Sequence, residues 1–404
     1  MSDTGFKAAG HSWRLVCGSQ AIEQGLKEQV QRLGAKRAFV ICSPSINRRT
    51  DTVKRISAAL GDLHAGTFDA IEKDSTYASV RAASDAAKAA GADLLIAVGG
   101  GSVLVAVRAV AIFLAEKGDA FQLMTQYPEG KPAYSPRLMA PKPPIINIPT
   151  TPNSAVNRAG TGLKNADLDH RMEYFDPKTR PQAILFDEEA LLATPPDMMR
   201  STATTVFAGL VGAMSQLDLN PLAEADERQA FRLAYRAYPR LIEEPANPAL
   251  LIDFCIAAFL QNRAEDDGLR RFRGGVFSGN YAVSTALHVR YPQVGQGEST
   301  SVVHAPKIRL AETVEPRAAR KVAEAVEVWR EGMDGRAAAL AVAERLESLY
   351  TRSRMPIRLR DLDIPRDDFP KIAGETVKNF NANAGARSQE AQIADALKLL
   401  EAAY

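Results

Sequence analysis

Apolar residues fall into two textures along the chain. In the first half they form short consecutive runs at Arg37–Cys42, Asp93–Val98, Ile145–Ile148 and Ala183–Asp187, the pattern of strands buried on both faces. Helical spacing fills the intervals over Thr52–Leu60 and Tyr77–Ala90, the latter closed by Gly91. This alternation predicts a parallel sheet with helices on both sides. Prolines crowd residues 126–152 and predict a loop into the third strand. Beyond Pro196 the β-branched clusters thin out. Leu210, Val211 and Met214, and later Val322, Ala325, Val326 and Trp329, recur at helical intervals. The expectation is an α/β domain over residues 1–194 and an all-α C-terminal domain over 195–404.

Composition narrows the function classes. The 404 residues carry 50 Lys+Arg against 48 Asp+Glu, with 46% hydrophobic and 24% charged residues, the balance of a globular protein. No basic stretch supports a nucleic-acid partner, and no apolar run is long enough to span a membrane. The start, MSDTGFKAAGHSWRL, lacks the apolar core of a signal peptide, so a cytoplasmic location is expected. Cys17, Cys42 and Cys255 lie far apart and read as buried, reduced thiols.

Candidate chemistry begins at Gly99-Gly100-Gly101-Ser102, between a buried strand and a helix expected to start near Ser102. Glycines let a ligand approach the backbone, and a helix N-terminus favours an anion, although glycine also serves tight turns. The next strand ends in Pro149-Thr150-Thr151-Pro152-Asn153-Ser154, which sets hydroxyls and an amide at a neighbouring carboxyl edge. Open α/β sheets bind ligands at that edge, and helix-capping hydroxyls are the alternative.

DLLIAVGGGS, PPIINIPTTPNS and FDEEALLATPPDMMRSTAT, in that order and spacing, resemble the iron-containing (group III) alcohol dehydrogenases of the dehydroquinate synthase-like superfamily. The likeness extends to Arg354–Leu362 and to the closing segment Asn381–Tyr404. It implies a Rossmann-like N-terminal domain binding NAD or NADP and a helical domain that normally supplies iron or zinc. Gly100, Gly101 and Ser102 match the pyrophosphate loop. Thr150 and Thr151 match hydroxyls around the adenine and phosphates, Leu191 an apolar contact, and Asn153 and Asn157 stand where the family has threonines. Ser43 replaces a ribose-binding Asp, with Arg48 and Arg49 close behind, which makes NADP at least as good a candidate as NAD. Val105 and Arg108 stand where an Asp and a Lys are usual. Arg171 stands near a family Lys that could contact phosphate, and Gly160-Thr161-Gly162 reads as a turn.

The metal half does not carry over. The family's Asp, two His and further His fall on Ala208, Gly212, Ser284 and His304, so no tightly bound catalytic metal is expected. His288 matches a second histidine near the nicotinamide. With Tyr281 and Ser284, the pair His288 and His304 could instead donate a proton to a carbonyl oxygen. Both histidines also fit a satisfied interior position, and the charged run 265–273 fits a solvated face. The expected function is an NAD(P)-dependent oxidoreductase on an alcohol or carbonyl compound, a small-molecule substrate, without a metal. A non-redox enzyme using bound nucleotide and a catalytically silent nucleotide-binding descendant stay open. A homodimer is an option that no sequence feature fixes.

Overall fold

The computed structural model describes residues 5–128, 131–168, 170–266, 275–379 and 388–404. Most of the charged run 265–273 and the first residues of the segment from Asn381 lie outside them. Two compact units emerge. One is Ser12–Pro195; the other joins Pro196–Tyr404 with the N-terminal segment ending at His11. That segment belongs there because Ala9 N–H donates to the Asp266 carbonyl at 3.2 Å and His11 lies 3.3 Å from the Asp266 carboxylate.

Among the described residues the α/β unit has eight strands: β1 (Arg14–Gly18), β2 (Ala38–Cys42), β3 (His64–Phe68), β4 (Leu94–Gly99), β5 (Ile145–Pro149), β6 (Gly160–Leu163), β7 (Met172–Phe175) and β8 (Ala183–Asp187). Six form one parallel sheet in the order β1-β8-β5-β4-β2-β3. Alternate residues of the central strands feed opposite cores. Ile41, Leu95, Ala97 and Ile145 pack on one face beneath helices Tyr77–Ala89 and Gly101–Ala115, while Val40, Ile96, Val98 and Ile148 pack on the other beneath Ala21–Arg32 and Thr52–Leu60.

Two expectations fail in this unit. Gly160-Thr161-Gly162 is not a turn but most of β6, paired antiparallel to β7. The sequence signal for a turn is overridden by cross-strand pairing: Gly162 carries the close approach of the Arg171 guanidinium, 3.4 Å from where its β-carbon would stand. Cys17 is exposed, on edge strand β1, whereas Cys42 and Cys255 are buried.

The second unit is helical, with long helices Pro196–Met214, Pro221–Ala237, Pro248–Asp266, Gln296–Leu310 and Gly335–Arg352, and the shorter Tyr281–Arg290 carrying three of the candidate residues. Among the described residues no helix is long and apolar enough to cross a membrane.

Candidate functional site

The carboxyl edge of the sheet gathers most of the expected cofactor residues. From β2 the chain steps outward to β3, and from β4 it steps the opposite way to β5, so the edge beside β2 and β4 is the switch point where such sheets bind ligands. Ser43 follows β2, half-buried, with its Oγ 3.1 Å from Ser45 Oγ; Arg48 and Arg49 are exposed at the end of the same short helix. Gly99 ends β4 at φ +149°, a conformation that side chains disfavour, and Gly100 caps a helix that begins at Gly101.

Thr150 and Thr151 follow β5 directly. Thr150 N–H donates to the Gly99 carbonyl at 3.1 Å, and Thr194 Oγ donates to the Thr150 carbonyl at 2.7 Å, which locks the two strand ends together. A β-carbon on Gly100 would stand 3.5 Å from Thr151 Oγ1. That hydroxyl is buried and has no hydrogen-bond partner among the described residues. Buried polar atoms are nearly always satisfied, so an orphaned hydroxyl beside a bare glycine loop at a helix N-terminus fits an anionic group such as a pyrophosphate.

Asn153 donates from Nδ2 to the Thr151 carbonyl at 2.9 Å and accepts from Ala155 N–H at 3.0 Å. Asn157 is buried in the same loop. Leu191 is buried in the short helix Glu188–Leu192 after β8. Two residues escaped the sequence reading. Asp74 and Ser75 adopt left-handed φ of 63° and 54°; Asp74 N–H donates to Ser102 Oγ at 3.1 Å, and Ser75 Oγ donates to the Ser102 carbonyl at 2.6 Å. The turn-forming run Lys73-Asp74-Ser75-Thr76 was the available signal. Arg171, which the resemblance sets near a residue that could contact phosphate, donates from Nη2 to the Gly162 carbonyl at 2.6 Å.

In the helical unit, Tyr281, Ser284 and His288 share one helix, and Asn280 caps it through Val283 N–H at 3.1 Å. The Tyr281 hydroxyl lies against Gly209, 2.9 Å from where a β-carbon would be, with the Gln261 amide beside it. Ser284 Oγ joins a hydroxyl cluster with Ser299 at 2.8 Å and Thr300 at 3.0 Å. His288 Nδ1 lies 2.9 Å from the Ser284 carbonyl, so Nδ1 carries the proton there and Nε2 is the basic nitrogen.

His304 differs, and the geometry corrects its expected role in proton transfer. Nε2–H donates to the Phe277 carbonyl at 2.8 Å, and Nδ1 accepts from the Tyr350 hydroxyl at 2.7 Å. Burial, only partly opposed by the Phe277 hydrogen bond, pushes its pKa down to about 4. It is a neutral interior histidine with both nitrogens engaged. One turn later Lys307 Nζ donates to the carbonyls of Gly275 at 2.7 Å and Ser278 at 2.8 Å, and burial lowers its pKa to about 8.

Ala208, Gly212, Ser284 and His304 do not fit a divalent ion. Ala208 is buried and carries no ligand atom; a β-carbon on Gly212 would stand 2.7 Å from Ser278 Cα, leaving no room for a side chain. Ser284 and His304 are engaged as described. Among the described residues no group of three or more His, Cys, Asp or Glu comes together.

Residues 13–188 match the model of the iron-containing alcohol dehydrogenases, and residues 202–404 match that of the family's C-terminal domain. The chain is 30% identical to maleylacetate reductase 2 of Cupriavidus pinatubonensis over 59% of its own length and 57% of that protein's. It is 24% identical to the 1,3-propanediol dehydrogenase of Klebsiella pneumoniae over 90% of this chain and 91% of that one. Among solved structures, an archaeal halo-thermophilic Red Sea brine pool alcohol dehydrogenase superposes with a TM-score of 0.84 at 16% identity, covering 99% of both chains. With both domain models matched in sequence and the fold shared end to end, this chain belongs to the iron-containing alcohol dehydrogenase family and is an alcohol dehydrogenase-like enzyme.

Proposed function

We propose that the chain is an NAD(P)-dependent oxidoreductase that moves hydride between nicotinamide and an alcohol or carbonyl compound without a catalytic metal. The orphaned Thr151 hydroxyl beside the glycine loop is the observation that carries the cofactor assignment. Gly100, Gly101, Ser102 and Thr151 would hold the pyrophosphate, with Thr150, Asn153, Asn157 and Leu191 around it. Ser43, in place of a carboxylate, and the exposed Arg48 and Arg49 favour the 2′-phosphate of NADP. When bound, the nicotinamide supplies or accepts the hydride.

The proton is the task of the helical unit. In reduction the proton reaches the carbonyl oxygen from Tyr281 Oη or from His288 Nε2 in the imidazolium form, which leaves the Nδ1–H neutral ring; in oxidation the neutral Nε2 or the tyrosinate takes it back. Losing a Lewis acid forfeits several kcal/mol of polarisation, which a hydrogen bond restores only in part. A substrate that is already electrophilic suits such a site. The Ser278 backbone occupies the space beside Gly212, so the missing side chains there open no extra room; an anionic carbonyl compound is favoured because the maleylacetate reductases among the relatives are in keeping with one.

Elemental analysis of the purified protein, paired with fluorescence titrations of NADH and NADPH, tests this reading. Nucleotide binding without stoichiometric metal, followed by carbonyl reduction that Tyr281→Phe or His288→Asn abolishes, is the expected result. A stoichiometric transition metal would overturn the metal-free mechanism, and failure to bind either nucleotide would overturn the oxidoreductase.

A further inference from the structure

Arg108 sits two turns into helix Gly101–Ala115, almost fully buried at 2% exposure. Among the described residues its guanidinium has no carboxylate partner. It is surrounded by carbonyls: Nε donates to Leu104 at 3.0 Å, Nη1 to Gly160 at 2.5 Å and Nη2 to Ala155 at 3.1 Å. Burial, with the neighbouring charge of Arg158, lowers its pKa to about 9, so it stays charged at neutral pH.

The two distant carbonyls bracket the loop that carries Asn157 and adjoins Asn153. That loop has turns but no regular secondary structure until β6 begins at Gly160. Side chains fix it in place. Asn147 Nδ2 donates to the Val156 carbonyl at 2.8 Å and Thr179 Oγ donates to the Ala159 carbonyl at 2.9 Å. Arg108 reaches Ala155 and Gly160, at the two ends of the loop, from the helix that starts at the glycines. A planar guanidinium spreads its donors over three nitrogens in fixed directions, whereas an ammonium's donors share a single nitrogen on a flexible stem.

We propose that Arg108 is a positioning residue for the cofactor site: by bridging Ala155 and Gly160 it sets the asparagine loop against the helix that opens at Gly101. The proposal rests on nucleotide binding at the glycine loop and deepens it. It makes one nucleotide-contacting segment depend on a side chain that touches no ligand.

The experiment is a fluorescence titration of NADPH and NADH into wild type, R108M and R108K, well below each melting temperature, with KM for nucleotide and kcat measured separately. R108M is expected to bind at least tenfold more weakly, with KM for nucleotide rising more than kcat falls; R108K is expected to fall between. A residue that serves stability alone would lower the melting temperature and leave the affinity of the folded protein unchanged, and that result in R108M overturns the proposal. Should R108M fail to fold, R108K decides, since wild-type affinity in R108K would equally overturn the bridging role. Wild type that binds no nucleotide refutes the cofactor assignment instead, so the two failures are distinct.

Discussion

A histidine with both ring nitrogens bonded inside the protein cannot exchange protons with a substrate until the fold opens. His304 is in that state, and its effect should appear in stability instead of turnover. Burial holds its pKa near 4 against an ordinary 6.5, so the folded state favours the neutral ring. Its contribution is complete above pH 6.5 and is lost as pH falls toward 4, by about 3 kcal/mol in all. Glu227 slopes the other way. Its Oε2 is buried without a hydrogen-bond partner among the described residues, Lys321 reaches Oε1 only at 3.4 Å, and burial raises the carboxyl pKa to about 7 from 4.5. The folded state favours the protonated acid, so stability is lost as pH rises from 4.5 through 7. Glu227→Gln should therefore raise stability at pH 8 by about 1–3 kcal/mol and have little effect at pH 4. Urea midpoints at the two pH values check this, and equal gains at both would show that titration is not the cause.

Among the elements, Gly212 gives a test whose sign is informative. An Ala in place of a Gly inside a helix normally stabilises by about 0.5–1 kcal/mol. Here the added carbon would meet the Ser278 backbone at 2.7 Å, and hydrogen bonds from Lys307 to the Ser278 carbonyl and from His304 to the Phe277 carbonyl hold that backbone in place. Gly212→Ala should thus destabilise, by about 1–3 kcal/mol, as overpacking against backbone does. A stabilised variant would mean that Gly275–Ser278 yields easily. The same segment shows what sequence patterns can convey. Central strands β2, β4, β5 and β8 are legible because burial on both faces demands consecutive apolar residues. Edge strands β1 and β3 are not, since RLVCG and HAGTF bury less and alternate poorly. The glycine loop and Thr151 are legible because one motif carries both ligand approach and anion affinity. The parts played by Ser75, Arg108 and Lys307 depend on partners 27 or more residues away along the chain, and no local spacing records them.

For the whole molecule, the two units should respond differently to added ligands. A ligand that binds only the folded state stabilises it by about 2.7 kcal/mol at a hundred times its Kd. Nucleotide held at the β4 and β5 strand ends should therefore raise the thermal transition of the Ser12–Pro195 unit. Iron or zinc is expected to do nothing comparable for the helical unit, because no cluster of ligating side chains is formed among its described residues and Gly212, where the family resemblance would set one ligand, abuts the Ser278 backbone. Calorimetry separates these effects when run with NADPH, with Fe²⁺ or Zn²⁺ under anaerobic conditions, and with both. A metal-dependent rise in the transition would show that ligands assemble on binding and would restore the family's usual chemistry. A rise with nucleotide alone fits an enzyme that has kept its relatives' cofactor site and given the metal's task to Tyr281 or His288.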